Sequence, residues 1–255
     1  MITVPKYPEG ANLLRDKVVV VTAAAGTGIG SATAKRALEE GARVVISDWH
    51  ERRLAEKAEE LGDVHAIACD VTREDQVQAL IAGAVDHYGR IDVVVNNAGL
   101  GGTKTLMDMT DEEWSRVIDV TLNGTFRATR AALRQFVAQG TGGAIVNNAS
   151  VLGWRAQAGQ AHYAAAKAGV MALTRCAAVD AAAHGVRINA VAPSLAMHAF
   201  LAKVTSDELL EELTAREVSG RAAEPWEVAN VIVFLASEYA SYLTGEVVSV
   251  SSQHA

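Results

Sequence analysis

Cysteine is scarce in this sequence. The 255 residues contain only Cys69 and Cys176, which lie far apart in apolar stretches and have no partners at metal-ligand spacing. Disulfides persist mainly in oxidising compartments, so this pair predicts free thiols and a cytoplasmic protein. Residues 1–16 are polar and contain two prolines, which is typical of neither a signal peptide nor a membrane span.

Aromatic residues and excess positive charge are also scarce. Only 5% of the residues are aromatic while 50% are hydrophobic, so the core must be built mainly from Ala, Val, Leu and Ile. The net charge of -7 and the lack of a basic cluster exclude a general role in binding nucleic acid or anionic membranes. A domain of this size buries enough surface to be stable without a disulfide or a metal, and we predict no metal site.

Continuous apolar runs, typical of strands buried on both faces, alternate with helical stretches along the whole chain. The predicted strands span residues 17–22, 43–47, 64–69, 91–95, 143–148, 186–191 and 247–250. The predicted helices span residues 31–40, 51–61, 74–88, 111–139, 161–184, 206–217 and 225–237, and Thr110 and Glu113 form a capping-box pattern before the fourth. The alternation predicts one α/β domain over residues 1–255, with a doubly wound parallel sheet.

Three glycines follow the first predicted strand. Gly26, Gly28 and Gly30 precede a helix, where glycines allow a tight turn and a close approach of the backbone to a pyrophosphate. A purely structural turn would use glycines in the same way. The second strand ends in Asp48, twenty residues after Gly28, where a carboxylate can accept hydrogen bonds from the adenosine ribose and would repel a 2′-phosphate. We therefore predict NAD rather than NADP, the alternative for Asp48 being a solvated carboxylate.

Polar or small residues follow the next two strands as well. Asp70 and Val71 come after the third strand, where they can hold the adenine edge. The run 96–99 (Asn-Asn-Ala-Gly) follows the fourth and lets a cofactor pass closely. Each segment alone would be an ordinary loop. Together with the glycine-rich turn they predict a dinucleotide cleft at the carboxyl ends of the strands.

Tyr163 and Lys167 lie four residues apart near the start of a predicted helix, which places them on one face. Ser150 ends the fifth strand, and Asn123 lies within the long preceding helix. A tyrosine needs its pKa lowered to act as a base near neutral pH, and a nearby ammonium favours the phenolate. Ser150 can hydrogen-bond the substrate oxygen, and Asn123 can hold a water linked to Lys167. The alternative for the Tyr–Lys pair is an exposed pair on a helix surface.

These motifs, in this order, resemble those of the short-chain dehydrogenase/reductase family over nearly the full chain. The ordered set is Thr22, Gly26-Thr27-Gly28-Ile29-Gly30, Asp70-Val71, Asn96-Asn97-Ala98-Gly99, Asn123, Ser150, Tyr163, Lys167 and Asn189-Ala190-Val191-Ala192-Pro193. The resemblance implies a seven-stranded Rossmann sheet, an Asn–Ser–Tyr–Lys tetrad, and dimers or tetramers formed through the two long central helices. It also implies a cofactor site that includes Thr22, Gly26, Gly28, Ile29, Gly30, Asp48, Asp70, Val71, Asn97, Ala98, Gly99, Tyr163, Lys167 and Pro193.

The sequence departs from the family pattern at three places. Ala23 follows Thr22, and the glycines come one residue later than usual. Ser194 follows Pro193 where Gly is common, and His198 stands where a carboxamide-binding Thr is expected. His198 is then either a carboxamide ligand or an ordinary loop residue. The chain also ends in Ser-Ser-Gln-His-Ala instead of the common Asp-Gly-Gly ending.

Some of these departures favour a narrower resemblance. Residues 21–30, 149–157 and 251–254 resemble an actinobacterial group that acts on hydroxylated hydrindane (steroid C/D-ring) acyl-CoA intermediates. The residues expected on the substrate side are mostly apolar: Val151, Leu152, Trp154, Leu195, Met197, Phe200 and Leu201. Buried core would have the same composition. Arg155 is either a ligand of an acidic group such as a CoA phosphate or a solvated side chain. The family further implies a lid over roughly residues 194–220.

The sequence thus predicts an NAD-dependent secondary alcohol dehydrogenase or ketone reductase that acts on a bulky or CoA-linked substrate. An NADPH-dependent 3-oxoacyl thioester reductase of the acyl carrier protein type is the principal alternative. A lyase or epimerase that uses the same Tyr and Lys would turn over without net change in the cofactor. A non-catalytic protein on the same fold would be expected to lack part of the tetrad, whereas all four residue types are present.

Overall fold

The computed structural model describes residues 3–197 and 207–252. Seven strands form one sheet in the order β3-β2-β1-β4-β5-β6-β7, and every neighbouring pair is parallel. The strands are β1 (Val18–Val21), β2 (Arg43–Asp48), β3 (Val64–Ala68), β4 (Val93–Asn96), β5 (Gly143–Asn148), β6 (Val186–Pro193) and β7 (Val247–Val250). This confirms the predicted doubly wound α/β sheet.

Helices cover both faces of the sheet. They are α1 (Ile29–Glu39), α2 (Glu51–Leu61), α3 (Glu74–Tyr88), α4 (Asp111–Ile118), α5 (Gly124–Gln139), α6 (Ala161–Ala182), α7 (Asp207–Ala215) and α8 (Pro225–Ala236). The capping box of Thr110 and Glu113 is present at the start of α4. The ends of the elements lie within two residues of their predicted positions, and many coincide with them.

The predicted helix over 111–139 is wrong in one respect, because it is interrupted. A π-helix, Asp119–Asn123, separates α4 from α5. The hydroxyl of Thr125 donates to the carbonyl of Thr121 at 2.8 Å, a bond from a side chain to the preceding turn that competes with the regular backbone ladder. The interruption changes which side chains face the site.

The core has two layers, one on each side of the sheet. Val19 and Val21 of β1 pack with α1 and α8 on one side, whereas Val18 and Val20 pack with α3, α5 and α6 on the other. Strands buried on both faces explain why the sequence shows continuous apolar runs rather than alternation.

The strand order reverses between β1 and β4, so the connections that leave these two strands diverge to opposite sides. The loops that follow the strands meet at one edge of the sheet, and a crevice opens there. Within residues 3–197 and 207–252, no helix is long and apolar enough to cross a membrane, and no group of three or more His, Cys, Asp or Glu side chains could hold a metal. The predicted site residue His198, the predicted lining residues Phe200 and Leu201, and the predicted helix start at Ser206 lie outside the described residues.

Candidate active site

The glycine-rich turn between β1 and α1 has the shape of a phosphate cradle. Gly28 caps α1 without a side-chain hydrogen bond, and no acidic residue stands in the first turn, so the N–H groups that begin at Ile29 are free to bind an anion. A Cβ on Gly26 would point into open space, with the nearest atom 3.9 Å away. A Cβ on Gly30 would lie 2.4 Å from the Asn97 amide nitrogen and 2.5 Å from the Ala23 carbonyl oxygen. The turn therefore fits a dinucleotide pyrophosphate.

The loop after β4 holds this turn in place. The Thr22 hydroxyl oxygen accepts hydrogen bonds from the backbone N–H groups of Asn97 and Ala98, at 3.0 and 3.1 Å. The Asn97 amide donates to the carbonyls of Thr22 and Ala23, both at 3.1 Å. Ala23 has a left-handed backbone with φ of 51°, a conformation that costs a non-glycine residue about 1 kcal/mol. The family's glycine at this position would avoid that cost.

Asp48 ends β2 beside the turn. One carboxylate oxygen accepts a hydrogen bond from the N–H of Ala25 at 3.3 Å, and the other from the N–H of His50 at 3.0 Å. The side chain is 7% exposed, so its charge is fixed next to the cradle rather than solvated. Each carboxylate oxygen keeps a further lone pair that can accept a hydrogen bond from a hydroxyl donor.

Asp70 and Val71 lie at the same edge of the sheet, after β3, but their side chains have structural partners. The Asp70 carboxylate accepts from the N–H and the hydroxyl of Thr72, at 2.9 and 2.8 Å, which makes a local turn. The Val71 side chain is buried against α5, where a Cβ on Gly124 would lie 2.7 Å from it. Structural partners also occupy the Asp70 N–H, which donates to Gln76, and the Val71 carbonyl, which accepts from Arg127.

Ser150, Tyr163 and Lys167 come together at the carboxyl end of β5. Ser150 follows the strand, and its side chain lies close enough to that of Tyr163 to lower the pKa of the phenol. The Lys167 nitrogen lies 5.5 Å from the centre of the Tyr163 ring and donates to the carbonyl of Asn148. A Cβ on Gly99 would lie 3.3 Å from that nitrogen, so the loop after β4 passes directly over the pair. Pro193 ends the neighbouring strand β6.

Burial is the largest influence on both titratable groups. It raises the pKa of Tyr163, and the nearby side chain of Ser150 offsets part of that rise. It lowers the pKa of Lys167 to about 8. The sequence predicts a Tyr163 pKa lowered by Lys167, whereas burial raises this pKa in the structure. A positive charge bound beside the phenol would favour the phenolate in addition to Lys167.

Asn123 is not brought to the other three residues. Its amide donates to the Asp119 carboxylate at 3.0 Å, and it lines a surface depression together with Trp114 and Arg116. Thr121, two residues earlier in the π-helix, is fully buried and lies on the site's side instead. Its hydroxyl accepts from the N–H of Leu100 at 3.0 Å and donates to the Leu100 carbonyl at 3.2 Å.

Thr121 and His162 are residues of the site that the sequence reasoning missed. A Cβ on Gly99 would lie 3.8 Å from the Thr121 hydroxyl, so Gly99 separates Thr121 from Lys167. His162 is buried next to Tyr163, and its Nδ1 accepts the Tyr163 backbone N–H at 2.9 Å. In the sequence, only the position of His162 next to Tyr163 indicates that it belongs to the site. The position of Thr121 depends on the π-helix, which no pattern predicted.

The predicted substrate side is only partly open. Val151 and Leu195 are buried, which favours a core role for them, whereas Trp154 is 51% exposed. Arg155 follows the short 3-10 helix Val151–Gly153, and its N–H donates to the carbonyl of Val151.

Comparison with known proteins defines the class to which this fold belongs. A family model described as enoyl-(acyl carrier protein) reductase matches residues 23–252. The chain belongs to the short-chain dehydrogenase/reductase family and is an oxidoreductase.

Three similar proteins are informative about the particular branch. The (5R,7aS)-5-hydroxy-7a-methyl-1-oxo-2,3,5,6,7,7a-hexahydro-1H-indene-carboxyl-CoA reductase of Mycobacterium tuberculosis is 67% identical, covering 98% of this chain and 97% of the relative. A 3-oxoacyl-(acyl-carrier-protein) reductase of Vibrio cholerae is 38% identical, covering 93% of this chain and 97% of the relative. A crystal structure of a short chain dehydrogenase from Mycobacterium smegmatis is 60% identical, with a TM-score of 0.89 and 99% of both chains covered. The predicted family resemblance is confirmed.

Proposed function

We propose that this protein is an NAD(H)-dependent dehydrogenase/reductase of a secondary alcohol and its ketone, and that the substrate is a fused-ring acyl-CoA thioester. The observation that carries the proposal is the cluster of Ser150, Tyr163 and Lys167 at the carboxyl edge of a dinucleotide-type sheet. The substrate class is supported by 67% identity with the M. tuberculosis hexahydroindene-carboxyl-CoA reductase over 97% of that protein.

Each residue of the cluster has one role in this proposal. A bound nicotinamide would supply the hydride for reduction of the ketone or take it up in oxidation of the alcohol. The Tyr163 hydroxyl exchanges the proton of the substrate oxygen, as a phenolate base in oxidation and as a phenol acid in reduction. Ser150 donates a hydrogen bond to the same oxygen as charge develops on it. Lys167 holds the cofactor ribose and favours the phenolate.

The preference for NAD is proposed on the position of Asp48. Its buried carboxylate is tied to the N–H of Ala25 in the glycine-rich turn. A ribose hydroxyl can donate to this carboxylate. A 2′-phosphate would instead be repelled by its negative charge, because buried surroundings screen the repulsion between two charges less than water does. We likewise propose that the other predicted cofactor residues, from Thr22 and Gly26 to Pro193, contact the cofactor.

An NADPH-dependent 3-oxoacyl thioester reductase is the second candidate. The observation that favours it is the 38% identity with the V. cholerae 3-oxoacyl-(acyl-carrier-protein) reductase. Asp48 argues against it through the cofactor. The lid over residues 194–220, the assembly into a homodimer or homotetramer, and the cytoplasmic location remain predictions.

The test begins with fluorescence titration of the cofactor-free protein with NADH and NADPH, using the wild type, Asp48→Ala and Tyr163→Phe. We expect NADH to bind the wild type more tightly, Asp48→Ala to lose that preference, and Tyr163→Phe to bind NADH as the wild type does. Turnover of a hydrindane-type ketone CoA thioester should fall at least roughly 10²-fold in Tyr163→Phe. Preference of the wild type for NADPH would favour the second candidate, and near-normal turnover by Tyr163→Phe would remove Tyr163 from its role.

A further inference from the structure

A buried carboxylate lies between α7 and the C-terminal tail, outside the cluster described above. Glu217 is 4% exposed. One of its oxygens accepts from the hydroxyl of Ser194 at 3.1 Å, and from the hydroxyl and N–H of Ser252 at 2.8 and 3.3 Å. The other oxygen accepts from the N–H of Leu195 at 3.3 Å. Glu217 thus joins the segment that leaves β6 to the segment that leaves β7.

Backbone hydrogen bonds also connect the segment after α7, the segment after β6 and the tail after β7. The N–H of Val218 donates to the carbonyl of Ser252 at 2.8 Å, and that of Ser194 to the carbonyl of Val250 at 3.2 Å. Further along, the N–H of Ala223 donates to the carbonyl of Leu195 at 2.8 Å. The N–H of Met197 donates to the carbonyl of Ala223 at 2.9 Å. The start of the loop after β6 is therefore held between the segment after α7 and the tail.

This loop starts beside the catalytic cluster. Strand β6 pairs with β5 in register up to Asn148, and the N–H of Ala149 donates to the carbonyl of Val191 at 2.8 Å. Ser150 follows at once on β5. Displacement of residues 194–197 would therefore move the wall of the crevice next to Ser150, whereas the glycine-rich turn follows β1, on the other side of β4.

The four donors described here suit a carboxylate. Its oxygens only accept hydrogen bonds, and three of these donors meet one oxygen while the fourth meets the other. A glutamine would direct its own N–H groups at one or more of them. A buried donor without an acceptor is costly, so the segments would separate or admit water.

We propose that Glu217 is a positioning residue that holds the substrate-side loop, through Ser194 and Leu195, against the tail at Ser252. The function of this clasp is to set the substrate wall of the crevice for a bulky CoA-linked substrate. The inference rests on the proposed function, because only that proposal makes the loop after β6 the substrate wall.

The test compares Glu217→Gln, Ser252→Ala and Ser252→Thr with the wild type. Glu59→Gln removes a charge from an exposed position on α2, outside the predicted lid, and serves as the control. Three quantities are measured in the full-length protein: KM and kcat for a hydrindane-type ketone CoA thioester, the Kd for NADH, and amide hydrogen exchange of residues 194–197. Hydrogen exchange and NADH binding require no turnover.

We expect Glu217→Gln and Ser252→Ala to raise KM about tenfold, to speed exchange at residues 194–197, and to leave kcat and the NADH Kd within about twofold. Ser252→Thr retains the hydroxyl donor and should restore most of the KM. An unchanged KM in both variants, or a rise in KM matched by an equal loss of NADH affinity, overturns the proposal. If Glu217→Gln does not fold, the two Ser252 variants decide alone.

The two proposals fail in different ways. If the wild type does not turn over the thioester with NADH, the proposed function is wrong, and hydrogen exchange still tests the clasp. If the wild type turns it over and loop exchange is the same in Glu217→Gln and Glu59→Gln, the clasp is wrong and the function stands.

Discussion

At the scale of single residues, Lys167 carries a charge that folding removes from water. Burial lowers its pKa to about 8, below the value of about 10.4 expected in the unfolded chain. Between these values the unfolded state binds more protons than the folded state, so the free energy of unfolding rises with pH. The lysine is thus least favourable to stability below pH 8, where it is charged in both states.

The prediction compares the wild type with Lys167→Met in urea unfolding at pH 7 and pH 10. The free energy of unfolding of the wild type, relative to the variant, should rise by about 2–3 kcal/mol over that range. The variant keeps a side chain of similar length without a titrating group and serves as the reference for all other groups. A difference between the two proteins that is the same at both pH values would contradict the buried charge.

A second prediction concerns Asn123 and Thr121. The contacts of Asn123 lead to Asp119, and those of Thr121 lead to Leu100 in the loop over Lys167. We expect Asn123→Ala to keep kcat within about threefold and Thr121→Val to lower it about tenfold or more, because valine removes both hydrogen bonds but preserves the shape. Both variants are measured in steady-state turnover. The reverse order of effects would return Asn123 to the catalytic role that the sequence predicts.

Some site residues were predictable from their spacing along one helix, and others were not. Tyr163 and Lys167 were predictable because a spacing of four on a regular helix puts two side chains on one face. The direction of Asn123 was not predictable, because an i→i+5 turn shifts later side chains by one residue relative to an α-helix. That turn is associated with the bond from Thr125 to Thr121, and threonines within a helix do not signal such a bond in sequence.

At the scale of elements, the turn between β1 and α1 contains two glycines, Gly26 and Gly30, whose substitution by alanine should have different effects. A Cβ at Gly26 meets open space, whereas one at Gly30 would collide with Asn97 and Ala23. Gly30→Ala should therefore lower the free energy of unfolding by about 1–3 kcal/mol, as overpacking does. Gly26→Ala should leave stability within about 0.5 kcal/mol but weaken NADH binding roughly tenfold, since its methyl group enters the cradle.

Thermal or urea unfolding and NADH titration of both variants test this prediction. The two proteins act as controls for each other, because each carries the same change of Gly to Ala in one turn. Tight NADH binding by Gly26→Ala would show that the phosphate passes elsewhere. Normal stability of Gly30→Ala would show that α1 and the loop after β4 can separate without cost.

Element types were more predictable than their ends. Strands β1 and β4 are buried on both faces, so their apolar runs were clear. The start of α1 at Ile29, two residues before its predicted position, depends on how Gly28 and Gly30 pack against the loop after β4. Such a contact joins segments about seventy residues apart, as the bond from Asn97 to Ala23 shows, and local pattern does not contain it.

At the scale of the whole molecule, the alternation of strands and helices predicted a parallel sheet, and the family resemblance implied seven strands. The contacts that bring the tail at Ser252 to Glu217 had no sequence signal, because serine and glutamate are ordinary surface residues. Their burial is a consequence of the sheet order, which places β7 beside β6. Long-range polar contacts of this kind are visible only after the chain has folded.

The proposed assembly of this chain can be tested on one exposed side chain. Phe126 and Val137 on α5 and Val179 on α6 are apolar and exposed, Val179 to 77%. Large exposed apolar side chains on long helices are typical of a contact between subunits. We expect the wild type to sediment as a species several times the 26.8 kDa of one chain, and Val179→Glu to sediment as a smaller one.

Tyr239→Glu is the matched control, because Tyr239 is also 77% exposed but lies in the short 3-10 helix Glu238–Ala240 and not on α5 or α6. It should leave the mass unchanged, since a charge placed outside an interface does not have to be desolvated on association. If Val179→Glu keeps the wild-type mass, α6 is not in the interface. If the wild type itself sediments as one chain, the exposed apolar side chains of α5 and α6 have a different purpose, and the site must be complete within a single subunit.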